Sequence, residues 1–325
     1  MKTLLKFLKY RVHFLLTIYT RKFGEVRSRL DKELVLMQSD NGAEVIISKK
    51  NGALISYKSN GTEQIAQPFL PHFTRPQTDN DRKGWKPSKL LKVWYDAKPS
   101  LTALSVDSTV KGQLSVTSTY RLIKDSASVQ VRYTFNGNGV LKVNYQLEAS
   151  DKLPNLPKVG MQGGIKRNLD QLTWYGKGPL ENYVDRRSGF AAGIYQAPLE
   201  TFIEPYVYPQ ENANRTDVRW MGLTNTGHEG LLVVADSLLS MSAWPYTEEE
   251  IVTAKHHHLL KDAGYITLNI DLIQMGVGGN DSWSTVSQPL PQYQVPAKNY
   301  HYSFYLLPFK GNISRKTEEI NAIKF

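Results

Sequence analysis

The stretch Ser128-Val129-Gln130-Val131-Arg132-Tyr133-Thr134-Phe135-Asn136-Gly137-Asn138-Gly139-Val140-Leu141-Lys142-Val143-Asn144-Tyr145 decides the fold. Valine and tyrosine alternate with glutamine and arginine before two Asn-Gly pairs. After them, leucine, valine and tyrosine alternate with lysine and asparagine. A period of two puts every second side chain on one face of an extended chain, so each half reads as a strand with an apolar and a polar face. Asn-Gly readily takes the positive backbone angles of a tight reversal, which predicts antiparallel pairing of the two halves.

The same pattern recurs on both sides. Alternating or β-branched runs occupy 44–47, 53–57, 115–120, 231–235, 265–272 and 300–307, and further Asn-Gly pairs start at 41, 51 and 60. Helix signals are sparse; the clearest is Thr247-Glu248-Glu249-Glu250-Ile251-Val252, where Thr247 and Glu250 have capping-box spacing. Many strands without intervening helices predict an all-β sandwich or barrel over residues 31–311. Residues 154–157, bounded by two prolines, read as a bend between its halves. Residues 312–325 read as a charged tail.

Composition narrows the function. The chain has 325 residues, 41% of them apolar, enough for a real core, and a formal charge of +10. Residues 1–30 hold eight cations against Glu25 alone, a net of +7, which leaves +3 for everything after them. Affinity for phosphate needs cations gathered on a binding face, so a near-neutral body behind a basic leader argues against nucleic acid. The leader is set apart from the domain. Leu4, Leu8, Val12, Leu15, Leu16 and Tyr19 fall at helical spacing between lysines, but the apolar run from Val12 to Tyr19 is too short to span a bilayer. Lys9 and Arg11 interrupt any signal-peptide core and no Ala-x-Ala-like site follows, so neither a signal peptide nor stable membrane insertion is assigned. The absence of cysteine rules out disulfides and thiolate chemistry and leaves cytoplasm and periplasm both open.

Four motifs carry the candidate chemistry. In Gln274-Met275-Gly276-Val277-Gly278-Gly279-Asn280-Asp281-Ser282-Trp283-Ser284, glycines and short polar residues make a loop that can be rigid without packing behind it. Trp283 either caps the core from that loop or presents an indole suited to the apolar C–H face of a sugar. Asn280, Asp281 and Ser282 are the neighbouring polar candidates for sugar hydroxyls. Arg75-Pro76-Gln77-Thr78-Asp79-Asn80-Asp81-Arg82 can offer oxygens to a hard cation, but Asp and Asn in this setting more often build turns. Gly176-Lys177-Gly178-Pro179-Leu180-Glu181-Asn182-Tyr183-Val184-Asp185-Arg186 contains one set of acids and arginines. The stretch from Pro205 to Trp220, with Glu211, Asp217 and Arg219, contains another. Each has the composition of an acid/base site and equally of Arg–carboxylate locks that hold long loops, and the lock is the reading adopted. Tyr206, Tyr208, Trp220 and Trp244 read as an aromatic surface or as packing. In His256-His257-His258, the outer histidines would share a face in a strand, yet no third ligand is evident, so no metal site is assigned.

These four motifs, in their order along the chain, resemble the C-terminal domain (small chain, domain 5) of LacZ-type bacterial β-galactosidases of glycoside hydrolase family 2. The resemblance covers residues 40–308. It implies a galactose-mutarotase-like antiparallel supersandwich, and it implies that Trp283 reaches into an active site. Glycoside hydrolysis needs two carboxyl groups across the scissile bond. In this family both belong to a TIM-type barrel, together with the magnesium and sodium sites. No alternating strand-helix pattern occurs here, so the chain is expected to hold no catalytic carboxylate and no cofactor, and to be inactive alone. The expected role is a small subunit or detached C-terminal domain of a β-galactosidase. Its partners would be a barrel on a large chain and a terminal β-D-galactoside. A stand-alone carbohydrate-binding module, a mutarotase-like epimerase with a histidine and a carboxylate converging in one pocket, and an inactive gene fragment are the alternatives.

Overall fold

The computed structural model describes residues 24–313 and residue 320. Among them are β1 (Val26–Leu30), β2 (Leu34–Ser39), β3 (Ala43–Ser48), β4 (Leu54–Ser59), β5 (Thr62–Glu63), β6 (Ile65–His72), β7 (Ser100–Asp107), β8 (Gln113–Ile123) and β9 (Ala127–Asn136). There follow β10 (Leu141–Ala149), β11 (Lys158–Lys166), β12 (Gln171–Gly178), β13 (Ala191–Pro198), β14 (Arg215–Thr224), β15 (Glu229–Trp244), β16 (Tyr265–Gln274) and β17 (Tyr300–Lys310). Every ladder between them is antiparallel, as the Asn-Gly turns predict. At Asn60 and Gly61 both backbone φ angles are positive, 47° and 80°, the conformation that a two-residue hairpin turn requires.

The long β15 joins two branches of this supersandwich. Its first half pairs with β17, which leads through β10, β9 and β8 to β7. Its second half pairs with β16, which leads through β11, β6, β4 and β3 to β2 and β1. Along its length β14 pairs on the other side and continues to β12 and β13. The segment 154–157 runs from β10 in one branch to β11 in the other, the place read as a bend.

The two branches share one core. The alternation quoted first buries Val129, Val131, Tyr133 and Phe135 in β9 and Leu141, Val143, Tyr145 and Leu147 in β10, while Gln130 and Arg132 face solvent. Val35, Val45, Ile47 and Tyr57 of the other branch belong to the same continuous apolar cluster. Tyr57 and Phe135 meet edge to face at 6.5 Å, and the Tyr57 hydroxyl donates to the Gly139 and Leu306 carbonyls. A buried side chain of this size contributes about 1.5–3 kcal/mol relative to its exposure, so the alternating positions alone bind the layers.

The domain starts earlier than charge suggests. Arg27 to Leu30, placed in the leader, belong to β1, whose Val26 to Leu30 pair with Ser39 to Val35. Backbone pairing proceeds whatever the side-chain charge, and these side chains lie largely exposed. Residues 1–23 of the leader lie outside the described residues. So does most of the tail, of which Ile313 packs with Trp220 and Leu232 in a second small cluster. Among the described residues no helix is long and apolar enough to cross a membrane.

Candidate functional site at the Trp283 loop

Strand β16 ends at Gln274, and the chain beyond it is bonded residue by residue. Met275 N donates to Pro157 O and Gly276 N to Tyr293 O, each at 2.9 Å. The carbonyls of Met275 and Gly276 accept from Arg75 Nη1 at 2.7 Å and Nη2 at 2.9 Å. The amides of Val277 and Gly278 both donate to Asp185 Oδ2, at 2.8 and 2.9 Å. A Cβ at position 276 would stand 2.6 Å from that same oxygen, so the approach requires glycine.

The tip is closed by its own side chains. Asn280 N donates to Val286 O at 2.9 Å. Asp281 accepts from the Trp283 amide at 3.2 Å, the Ser284 amide at 3.0 Å and the Ser284 hydroxyl at 2.5 Å. These bonds, that of the Ser284 side chain foremost, hold its carboxyl below the usual carboxylate range. Asp281 therefore supports the turn, while Asn280 and Ser282 are exposed. Of the six tryptophans, Trp85, Trp94, Trp174, Trp220 and Trp244 are buried, whereas Trp283 is 76% exposed. Of the two readings of this ring, the core cap is excluded.

The other three motifs form the base of this loop. Asp81, offered above as a cation ligand, has its oxygens occupied by Arg75 at 3.2 Å, the Thr78 amide at 3.0 Å and Trp85 Nε1 at 2.9 Å. The π-helical turn Asn80–Trp85 brings Gly84 against Ser287 so closely that a Cβ would lie 1.8 Å from its hydroxyl oxygen. Glu181 is locked by Arg186 and the Tyr206 hydroxyl, each at 2.5 Å, and by the Ala213 amide at 2.8 Å. Asp217 pairs with Arg187 at 2.6 Å rather than with Arg219, whose guanidinium lies over the Tyr175 ring. Glu211 is buried with only two long contacts, from Tyr183 Oη and Gln274 Nε2 at 3.4 Å. Burial pushes its pKa up to about 8, against the pull of Arg75 and Lys158. Trp220 and Trp244 are core residues, so the aromatic surface shrinks to Tyr206 and Tyr208, the latter stacked under Arg82.

The histidine run is not a strand. His257–Leu259 is a 3-10 turn, and the rings of His256 and His258 stack at 5.5 Å. Among the described residues no group of three or more His, Asp or Glu side chains is arranged to hold a metal. A histidine and a carboxylate do converge, His72 Nε2 lying 3.2 Å from Glu248 Oε2. That carboxylate is already engaged by Thr74 at 2.8 Å and Gln162 at 3.3 Å.

Fold and loop together define an all-β supersandwich that carries a rigid aromatic loop. A profile of the β-galactosidase small chain matches residues 39–306, and the chain belongs to that family. It is 34% identical over 280 residues to a β-galactosidase of Priestia megaterium, covering 85% of this chain and 27% of that one. To a β-galactosidase of Halalkalibacterium halodurans it is 36% identical over 245 residues, covering 74% and 24%. The chain thus spans about a quarter of the length of the curated relatives it matches. A GalM/aldose epimerase homologue from C. elegans is similar in shape, with a TM-score of 0.47 and 9% identity over 88% of this chain and all of that one.

Proposed function

We propose that this chain supplies one wall of a β-galactoside-hydrolysing site of the LacZ type, the acid/base and nucleophile carboxylates standing on a barrel outside the chain. The observation that carries this reading is Trp283, the one exposed indole, held on a loop whose backbone is clamped before any ligand arrives. A fixed indole offers an apolar face to the C–H side of a pyranose at little entropic cost, and Asn280 and Ser282 beside it offer hydroxyl partners. The carboxylates Asp81, Glu181 and Asp217 are engaged by protein donors, which supports placing the chemistry elsewhere. Leu180, Val207, Tyr208, Val286 and Leu290 lie exposed on the same interlinked loops, a composition suited to a protein partner bearing the barrel.

The test is hydrolysis of o-nitrophenyl β-galactoside by this chain alone and co-expressed with a barrel-bearing polypeptide encoded beside it. Turnover is expected only in the second case. There Trp283→Ala raises KM by the equivalent of about 1–3 kcal/mol, the scale of a lost aromatic contact. Hydrolysis by the chain alone, or unchanged KM and kcat in the variant, overturns the reading.

A further inference from the structure

We propose that Asp185 is the positioning residue for Trp283, setting the ring's place through the backbone of residues 277 and 278; the inference rests on the reading of Trp283 as a sugar-facing wall. Three observations carry it. One carboxylate oxygen of Asp185 accepts both consecutive amides, at 2.8 and 2.9 Å, from 92 and 93 residues away in the chain. Its other oxygen is buried and has no partner among the described residues, so the carboxylate is committed to the loop. On the opposite side Arg75 holds the two preceding carbonyls. A cation on two carbonyls and an anion on the next two amides fix successive peptide planes in one orientation. Such charge-assisted bonds are roughly twice as strong as neutral ones. Trp283 follows five residues later on a tip whose return is held by Ser287, which accepts from the Trp85 amide and donates to the Asn80 carbonyl, each at 3.0 Å, so the Asp185 clamp sets how the tip leaves the domain.

The full chain serves as its own probe, because Trp283 is the indole that a collisional quencher reaches most readily. Asp185→Ala is expected to accelerate hydrogen exchange at the Val277 and Gly278 amides by roughly tenfold or more. It is also expected to increase the fast depolarisation of Trp283 fluorescence, assigned by its loss in Trp283→Phe, while exchange in β9 and β10 stays unchanged. Asp185→Asn, which keeps an acceptor oxygen, is expected to recover part of the protection. Should Asp185→Ala not fold, Gly276→Ala presses on the same carboxylate and is expected to free the ring likewise. A folded Asp185→Ala or Gly276→Ala chain with undisturbed amides and an equally rigid Trp283 overturns the proposal. These readouts need neither sugar nor partner, so they stand if the galactosidase reading fails. If Trp283→Ala raises KM in the assembled enzyme while Asp185→Ala, with a mobile ring, does not, positioning is overturned and the reading survives.

Discussion

Arg75–Asp81 and Arg132–Asp107 are the same chemical pair at nearly the same distance, 3.2 and 3.1 Å, in two regions of the molecule. The first lies beneath the Trp283 loop with both side chains 1% exposed; the second bridges β9 and β7 with 45% and 43% exposure. Water solvates and screens the second pair, so its attraction is small. The first pair has lost its water, and Arg75 recovers that loss only by also binding Gln274, Met275 and Gly276. The sheet region rests on many interchangeable apolar contacts and the loop region on a few polar ones that leave an unpaired charge when broken.

Arg75→Met breaks this comparison at its strongest point. It leaves Asp81 buried without its cation and frees two carbonyls, and is expected to cost about 3–5 kcal/mol, measured by urea unfolding. Adding Asp81→Leu removes the stranded charge but not the orphaned carbonyls. The double variant is therefore expected to regain only part of the lost stability, because the Met275 and Gly276 carbonyls stay without their donor. Full recovery would show that Arg75 serves Asp81 alone.

Glu211 sharpens the comparison by pH. Its folded pKa of about 8 lies above the ordinary 4.5, so the native state keeps a proton that the unfolded chain releases. The resulting contribution is fully present below pH 4.5 and is lost as pH rises toward 8. Glu211→Gln stays neutral throughout. The stability of wild type relative to this variant is expected to fall between pH 5 and 8, by on the order of 3–4 kcal/mol. A pH-independent difference would mean that Glu211 is ionised in the native state.

The regions also differ in how far the residues reveal them. Period-two alternation and Asn-Gly turns state the strands and their direction, because both are set by neighbours in sequence. The extra strand β1 escapes this reading, since Arg27 and Arg29 alternate on an edge whose pairing owes little to its side chains. At the site, the Glu181–Arg186 lock and the loop around Trp283 are local and legible. The partners of Asp185 are not, lying across 92 residues of chain, and its contact with residue 277 leaves only Gly276 as a signal in the sequence. The 3-10 turn at His257–Leu259 is likewise not written in the histidine run, whose spacing alone does not distinguish a strand from a turn.

Arg132→Ala tests the other side of the comparison and carries the smallest expected effect. The variant loses the bond to exposed Asp107 and a 3.3 Å contact with Ser115, whose hydroxyl keeps its bond to Thr134. An exposed pair of this kind is worth about 0–1 kcal/mol, and added salt lowers it further. Urea unfolding is expected to find a midpoint close to that of wild type, with the small difference vanishing in 1 M salt. A loss of several kcal/mol would mean that exposure does not separate the two pairs. The greater cost of Arg75→Met would then lie in its carbonyl contacts rather than in the burial of its charge.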